Sequence, residues 1–163
     1  METTHKPSVL IVGGGIGGMA AALSLSRLGM AVTVLEQASS LGEIGAGIQL
    51  APNAFAALDA LGVGERTRAK AVFTERLVMM DAVDAAEVGT FVVDAAFRER
   101  FANPYAVIHR ADIHGAILDA VRNSPLITFV TSSHVTGVEE DADGVTVTDA
   151  AGRSFRADVL IGC

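Results

Sequence analysis

The sequence predicts an α/β fold built on a parallel sheet, and three observations carry that expectation. Residues 8–12, Ser-Val-Leu-Ile-Val, form a short continuous apolar run, as expected of a strand buried on both faces. Gly13-Gly14-Gly15 stop that run, and residues 16–28 shift to helical spacing with Met19, Leu23 and Leu28 among small side chains. A second apolar run, residues 31–36 with Val32, Val34 and Leu35, completes strand, helix and strand within about 30 residues. Such a βαβ unit is right-handed by default and opens a parallel sheet. Gly29 reads as the stop of its helix.

The remaining elements follow in order. Residues 41–50, with Gly42, Gly45 and Gly47, read as loop. Residues 52–61 carry Phe55, Leu58 and Leu61 at helical spacing, with Pro52 near the start and Gly62 after the end. Residues 75–81 and 87–93 read as strands, residues 95–103 have no clear assignment, and residues 105–108 read as a short strand. Residues 111–121 form a helix with Ile113, Ile117, Leu118 and Val121 on one face. A strand at 126–131 follows. Residues 135–140 and 145–148 flank Asp141-Ala142-Asp143-Gly144, and an Asp-Gly pair between such runs marks a hairpin. Residues 154–157 add a third strand to that meander, and 159–161 form a last apolar strand. The layout is a Rossmann-type α/β domain with antiparallel β insertions.

Composition narrows the function classes. The chain has 163 residues, half of them hydrophobic, which is too apolar for a disordered chain. Its length fits one domain on the prior of roughly 100–200 residues per domain. The net charge is −7, which leaves no basic footprint for nucleic acid or an anionic membrane surface. No stretch reads as a membrane span or a secretory signal. The single cysteine, Cys163, excludes a disulfide framework and a Cys-rich zinc site, and it reads as a small apolar residue ending a strand. His109 and His114 stand five apart, which does not place them on one helical metal face, so no metal is expected. Glu139, Glu140, Asp141 and Asp143 read as a solvated hairpin end.

The chemistry-bearing motif is G-x-G-x-x-G at Gly13, Gly15 and Gly18, within Gly13-Gly14-Gly15-Ile16-Gly17-Gly18. It follows a strand and opens a helix, the context that gives each glycine a task. Gly13 permits the tight turn, Gly15 lets backbone approach a pyrophosphate, and Gly18 lets helix pack on strand. The helix start then offers unpaired N–H groups and a positive dipole end to phosphate oxygens. Glu36 ends the second strand at about the expected 20-residue distance, where a carboxylate accepts from ribose hydroxyls and repels a 2′-phosphate. Together these residues indicate an adenine dinucleotide and leave NAD and FAD open. A plain glycine turn and a solvated glutamate are the alternatives that carry no function.

Three further segments bear on that choice: the Gly-rich stretch Glu43-Ile44-Gly45-Ala46-Gly47-Ile48-Gln49-Leu50, His109-Arg110-Ala111-Asp112 at a helix start, and Asp158-Val159-Leu160-Ile161-Gly162. Their order resembles the single-component FAD-dependent aromatic hydroxylases, the group A flavoprotein monooxygenases. The resemblance implies FAD as cofactor, with Gly13, Gly15, Ile16, Gly17, Gly18, Glu36 and Val135 on its dinucleotide side. It also implies that Gly47, Ile48 and Gln49 pass close to the isoalloxazine and that Arg110 contacts FAD. Only one dinucleotide fingerprint is present, so NADH or NADPH is expected as a transient co-substrate. Residues 58–64, 79–83 and 104–110 are similar to members acting on small hydroxylated aromatic acids. The implied reaction is hydroxylation of a phenolic acid with O₂, foremost 3-hydroxybenzoate to 2,5-dihydroxybenzoate, with salicylate or 6-hydroxynicotinate as alternatives. A nicotinamide dehydrogenase and a non-catalytic dinucleotide-binding fragment stay open as readings of another class.

The resemblance covers all of this chain and the N-terminal part of a family member. Residues 1–163 are therefore expected to be the FAD-binding domain of a longer polypeptide, with 71–108 opening a substrate-side β segment and the substrate domain incomplete. Catalytic residues are expected beyond Cys163. A cytoplasmic location and a homodimer are the remaining expectations.

Overall fold

The structure, a computed structural model, describes residues 6–41 and 46–163. In chain order it contains β1 (Val9–Val12), α1 (Ile16–Arg27), β2 (Val32–Leu35), β3 (Gly47–Leu50), α2 (Pro52–Ala60), α3 (Gly64–Arg68), β4 (Val72–Phe73), β5 (Arg76–Met80), β6 (Glu87–Val92), α4 (Ala95–Phe101), β7 (Ala106–His109), α5 (Arg110–Arg122), β8 (Ile127–Val130), β9 (Val135–Asp141), β10 (Gly144–Asp149), β11 (Ser154–Ala157) and β12 (Val159–Gly162). The chain divides into two compact units, one formed by the described residues before 44 together with 114–163, the other by 46–113.

The first unit is built on a four-stranded sheet in the order β12-β1-β2-β8, parallel at every pairing. Because β1 is paired on both edges and covered on both faces, its side chains divide between two clusters. Val9 and Ile11 pack with Ala22, Val32 and Val34 on the α1 side. Leu10 and Val12 pack on the other side with Val145, Val147 and Ala157 from the antiparallel meander β9-β10-β11. That two-sided burial is why the strand reads as an unbroken apolar run instead of an alternation. The expected stop at Gly29 has a defined geometry. Its φ is +80°, its amide donates to Ser26 and the Met30 amide donates to Leu25, the paired bonds of a Schellman cap. The Asp-Gly hairpin forms as expected, with Gly144 at φ +139° and the Asp143 amide donating to Asp141 Oδ1. Cys163, expected as a small apolar strand end, is exposed.

The second unit holds the sheet β3-β7-β4, antiparallel throughout, and the β5-β6 hairpin. Here the structure corrects the reading of residues 41–50 as loop, because Gly47–Leu50 is strand β3 paired with β7. Ile48 and Leu50 turn inward and Gly47 and Gln49 outward, a period-2 pattern too short to stand out among the glycines. Gly42, Glu43, Ile44 and Gly45 lie outside the described residues. Residues 95–101, left without assignment, form helix α4, started by Asp94 Oδ1 accepting from the Phe97 amide at 2.9 Å and ended by Ala102 at φ +57°. The short α3 and β4 were likewise not foreseen. Arg68 fixes α3 by donating to Asp59 Oδ2 at 2.8 Å and Asn103 Oδ1 at 2.7 Å, with its guanidinium 4.9 Å from the centre of the buried Phe55 ring.

Candidate functional site

The glycine turn between β1 and α1 separates into constrained and open positions. Gly13 has φ +111°, a conformation that an L side chain rarely adopts, and its amide donates to Leu35. A Cβ at Gly18 would run into the Gly13 carbonyl oxygen and lie 3.3 Å from Ile11 Cγ2, so this glycine sets how closely α1 approaches β1. A Cβ at Gly15 or Gly17 would meet nothing within 4 Å beyond its own stretch of chain. Those two faces border an open cradle at the start of α1, whose N-cap Gly15 has no side-chain partner and whose first turn carries no acidic residue. The cradle fits an anionic phosphate group: backbone N–H groups converge there and no carboxylate of that turn opposes it.

The G-x-G-x-x-G pattern gives Gly14 no task. In the structure it is constrained too, by side chains where Gly18 meets backbone: a Cβ there would stand 2.6 Å from Phe129 Cζ and 2.9 Å from Glu36 Cβ. The closeness has a purpose, because the Gly14 amide donates to Glu36 Oε2 at 2.7 Å while the Ala38 amide donates to Glu36 Oε1 at 2.8 Å. Glu36 thus fastens the glycine turn to the end of β2. An ionised carboxylate has about four lone-pair sites, so two amides leave acceptor capacity for ribose hydroxyls.

Gly13, Glu36 and Val135 line one pocket of about 220 Å³, together with Gln37, Ser133, His134 and Cys163. It lies at the carboxyl ends of β1 and β2, the position where open parallel sheets bind ligands. Gln37, Ser133 and His134 were not anticipated, and no motif marks them: Gln37 follows Glu36 at the end of β2, and Ser133 and His134 come into place through the turn that follows β8. Gln37 Oε1 and His134 Nδ1 lie 3.0 Å apart on this wall.

The other expected residues belong to the second unit, where β3 and β7 bring them together. Gly47 pairs with His109, Ile48 with Ile108 and Gln49 with Val107. Arg110 follows directly, exposed, with its amide donating to the Ala46 carbonyl at 3.0 Å. Tyr105, absent from the expected set, donates its hydroxyl to Gln49 Oε1 at 2.6 Å and so orients that side chain.

A parallel α/β sheet, a glycine turn with open faces at a helix start and an acidic residue closing β2 define a dinucleotide-binding domain. The family described as FAD binding domain matches residues 6–163. The chain belongs to this family, and its cofactor is FAD; the dehydrogenase alternative is thereby set aside. It is 55% identical over 154 residues to the 3-hydroxybenzoate 6-hydroxylase of Klebsiella oxytoca, covering 94% of this chain and 39% of that protein. It is 53% identical to the 3-hydroxybenzoate 6-hydroxylase of Polaromonas naphthalenivorans, covering 94% and 38%. Among solved structures, the R204Q variant of Klebsiella pneumoniae HpxO in complex with FAD is similar, with a TM-score of 0.81 and 28% identity over 95% of this chain and 39% of that one. The chain therefore spans about two fifths of the length of the curated relatives it matches.

Proposed function

We propose that the protein is an NAD(P)H-dependent aromatic hydroxylase that converts 3-hydroxybenzoate to 2,5-dihydroxybenzoate, and that this chain holds its flavin. The observation that carries the reading is the 55% identity to a 3-hydroxybenzoate 6-hydroxylase, on a chain whose glycine turn fits a dinucleotide. In the overall balance one oxygen atom of O₂ enters the ring para to the phenol, the other leaves as water, and NAD(P)H supplies two electrons. FAD, when bound, supplies the redox chemistry that couples nicotinamide oxidation to oxygen activation.

The chain's own residues bind and orient. The amides at the start of α1, at Gly15, Ile16, Gly17 and Gly18, receive the pyrophosphate, and Glu36 receives the ribose. Val135 borders the base. Gly47, Ile48 and Gln49 form backbone and side-chain surface for the isoalloxazine, and Arg110 offers a guanidinium suited to bidentate anion contact. Residues 71–108 open the substrate-side segment. The need for a nicotinamide co-substrate favours a cytoplasmic location, and a homodimer is the assembly to test.

The test is oxygen uptake by the full-length protein loaded with FAD, with NADH and with NADPH, on 3-hydroxybenzoate, salicylate and 6-hydroxynicotinate, with the product identified. The expected outcome is 2,5-dihydroxybenzoate, formed in step with nicotinamide oxidation. Coupled turnover of salicylate or 6-hydroxynicotinate alone would replace the substrate, and a colourless protein that takes up no FAD would remove the whole reading.

A further inference from the structure

Asp149, the last residue of β10, is a buried carboxylate that the proposed reaction does not use; its side chain is 1% exposed. Its oxygens are fully engaged. Oδ1 accepts from the amides of Ala151 and Arg153 at 3.0 and 2.9 Å, and Oδ2 accepts from Arg153 Nε at 2.7 Å and from the Ser133 hydroxyl at 3.0 Å. The first three bonds belong to the turn that joins β10 to β11. The fourth leaves that turn and reaches the wall of the nucleotide pocket, which Ser133 lines.

Four more bonds stitch the same wall on both sides. On the meander side, Arg153 donates to the Ser132 carbonyl at 2.6 Å and the Ala150 amide donates to the His134 carbonyl at 2.8 Å. On the β2 side, the Ser133 amide donates to the Glu36 carbonyl at 2.8 Å and the Ser132 amide to the Ala38 carbonyl at 3.0 Å. Ser132 has φ +51°, a left-handed conformation that a serine holds only when its surroundings fix it. Burial pushes the Asp149 carboxyl up, but the Arg153 amide, its guanidinium and the Ser133 hydroxyl outweigh that and hold it below the ordinary carboxylate value. It is therefore a charged acceptor at neutral pH.

A turn-forming aspartate needs only the local amides. The reach to Ser133 and the strained Ser132 held through Arg153 are additional: the first ends on the pocket that Glu36 lines, and the second fixes the residue just before it. We infer that Asp149 is a positioning residue for the adenosine half of the dinucleotide, holding residues 132–135 in the conformation that walls the pocket beside Glu36. The inference rests on the FAD reading above and deepens it.

The test uses the full-length protein stripped of flavin, with the dissociation constant for FAD and the melting temperature of the flavin-free form measured for wild type, Asp149→Ala, Asp149→Asn and Ser133→Ala. Ser133→Ala cuts the bond from the Asp149 carboxylate to the wall and leaves the turn intact. It is expected to weaken FAD severalfold with the melting temperature unchanged, a split that a purely structural aspartate would not produce. Asp149→Ala is expected to weaken FAD by at least about tenfold, the scale of one charge-assisted hydrogen bond, and Asp149→Asn by less. If Asp149→Ala does not fold, Ser133→Ala decides. Wild-type FAD affinity in Ser133→Ala overturns the positioning role while the FAD reading stands. Failure of the wild type itself to bind FAD overturns that reading instead.

Discussion

The two units treat apolar surface in opposite ways. In the first, the parallel sheet is covered on both faces, and Ile11, Val34 and Val147 are fully buried. In the second, Phe55, Leu58, Val63, Ala106 and Ile108 are buried, but the β5-β6 hairpin and α4 leave Val78, Met79, Met80, Phe91, Val92 and Phe101 exposed. Single exposed apolar residues are ordinary, whereas here the β5-β6 register puts exposed apolar side chains on both faces of one hairpin, with Met79 and Phe91 on one face and Val78 and Val92 on the other. The first unit is thus self-complementary and shaped around a backbone cradle. The second carries a hairpin with no buried face of its own, which suits the proposal that residues 71–108 open a substrate-side segment.

Substitution at the glycine turn separates fold from binding most sharply. Of the two motif glycines compared, Gly18→Val should have the larger effect on stability, because its Cβ must displace the Gly13 carbonyl and press on Ile11. Overpacking against backbone costs about 1–3 kcal/mol or more, and urea unfolding should show at least that loss. Gly15→Val stands at an open position, so unfolding should lose no more than a helix cap's roughly 1 kcal/mol while FAD is no longer retained. Equal stability losses at the two positions would erase the distinction between constrained and open glycines.

Glu36→Ala should combine both effects. It removes the acceptor of the Gly14 and Ala38 amides, and hydrogen bonds to charged groups contribute roughly 1.5–3 kcal/mol each. The expected result is weaker FAD binding in a flavin titration together with a lower melting temperature of the flavin-free protein. A weakened affinity with unaltered melting would return Glu36 to a role in ribose contact alone.

How much of this was legible in the sequence follows the same divide. The first unit was readable because each rule acts locally: an apolar run for a strand covered twice, glycine for a turn at φ +111°, Asp-Gly for a hairpin. The second was read less well, because β3 is four residues long among glycines and α4 depends on the Asp94 cap more than on an apolar stripe. Gly47, Ile48, Gln49 and Arg110 were named as separate motifs, and only the β3-β7 pairing shows that they adjoin. Gly14, Ser133 and His134 were missed for a physical reason. Their part comes from contacts across 16 or more residues of chain, with Glu36 for Gly14 and with Asp149, Ala150 and Gln37 for the other two.

The hairpin offers a contrasting test in the second unit. Met79→Ser should leave the unfolding free energy of this chain within about 0.5 kcal/mol, as surface substitutions usually do. Phe55→Ala, by comparison, empties a fully buried ring site and should cost about 3–5 kcal/mol. A large loss at Met79 in urea unfolding would show that the hairpin face is buried after all.

The smallest expected effect is acid sensitivity, and it compares the two units through their arginine-held carboxylates. In the first unit the Arg156 guanidinium, helped by the Asp143 amide, pulls Asp141 down to about 2. Asp149 is held below its ordinary value in the same unit, with burial opposing and Arg153 and Ser133 prevailing. In the second, Arg68 lowers Asp59. A carboxyl lowered on folding binds its proton more tightly in the unfolded chain, so its contribution is complete above the ordinary value near 3.8 and is lost as pH falls toward the folded value. The Asp141–Arg156 pair is about half exposed on both partners, so solvent and salt screen it. Asp141→Asn should therefore leave melting at pH 7 nearly unchanged and only slightly flatten the loss of stability between about pH 4 and pH 2. Asp149→Asn, with its carboxylate buried, should flatten that acid slope more. Circular dichroism melts across this range measure both. Superimposable acid profiles for wild type and Asp149→Asn would mean that the buried knot contributes no more than the exposed pair, and the asymmetry would lose its electrostatic basis.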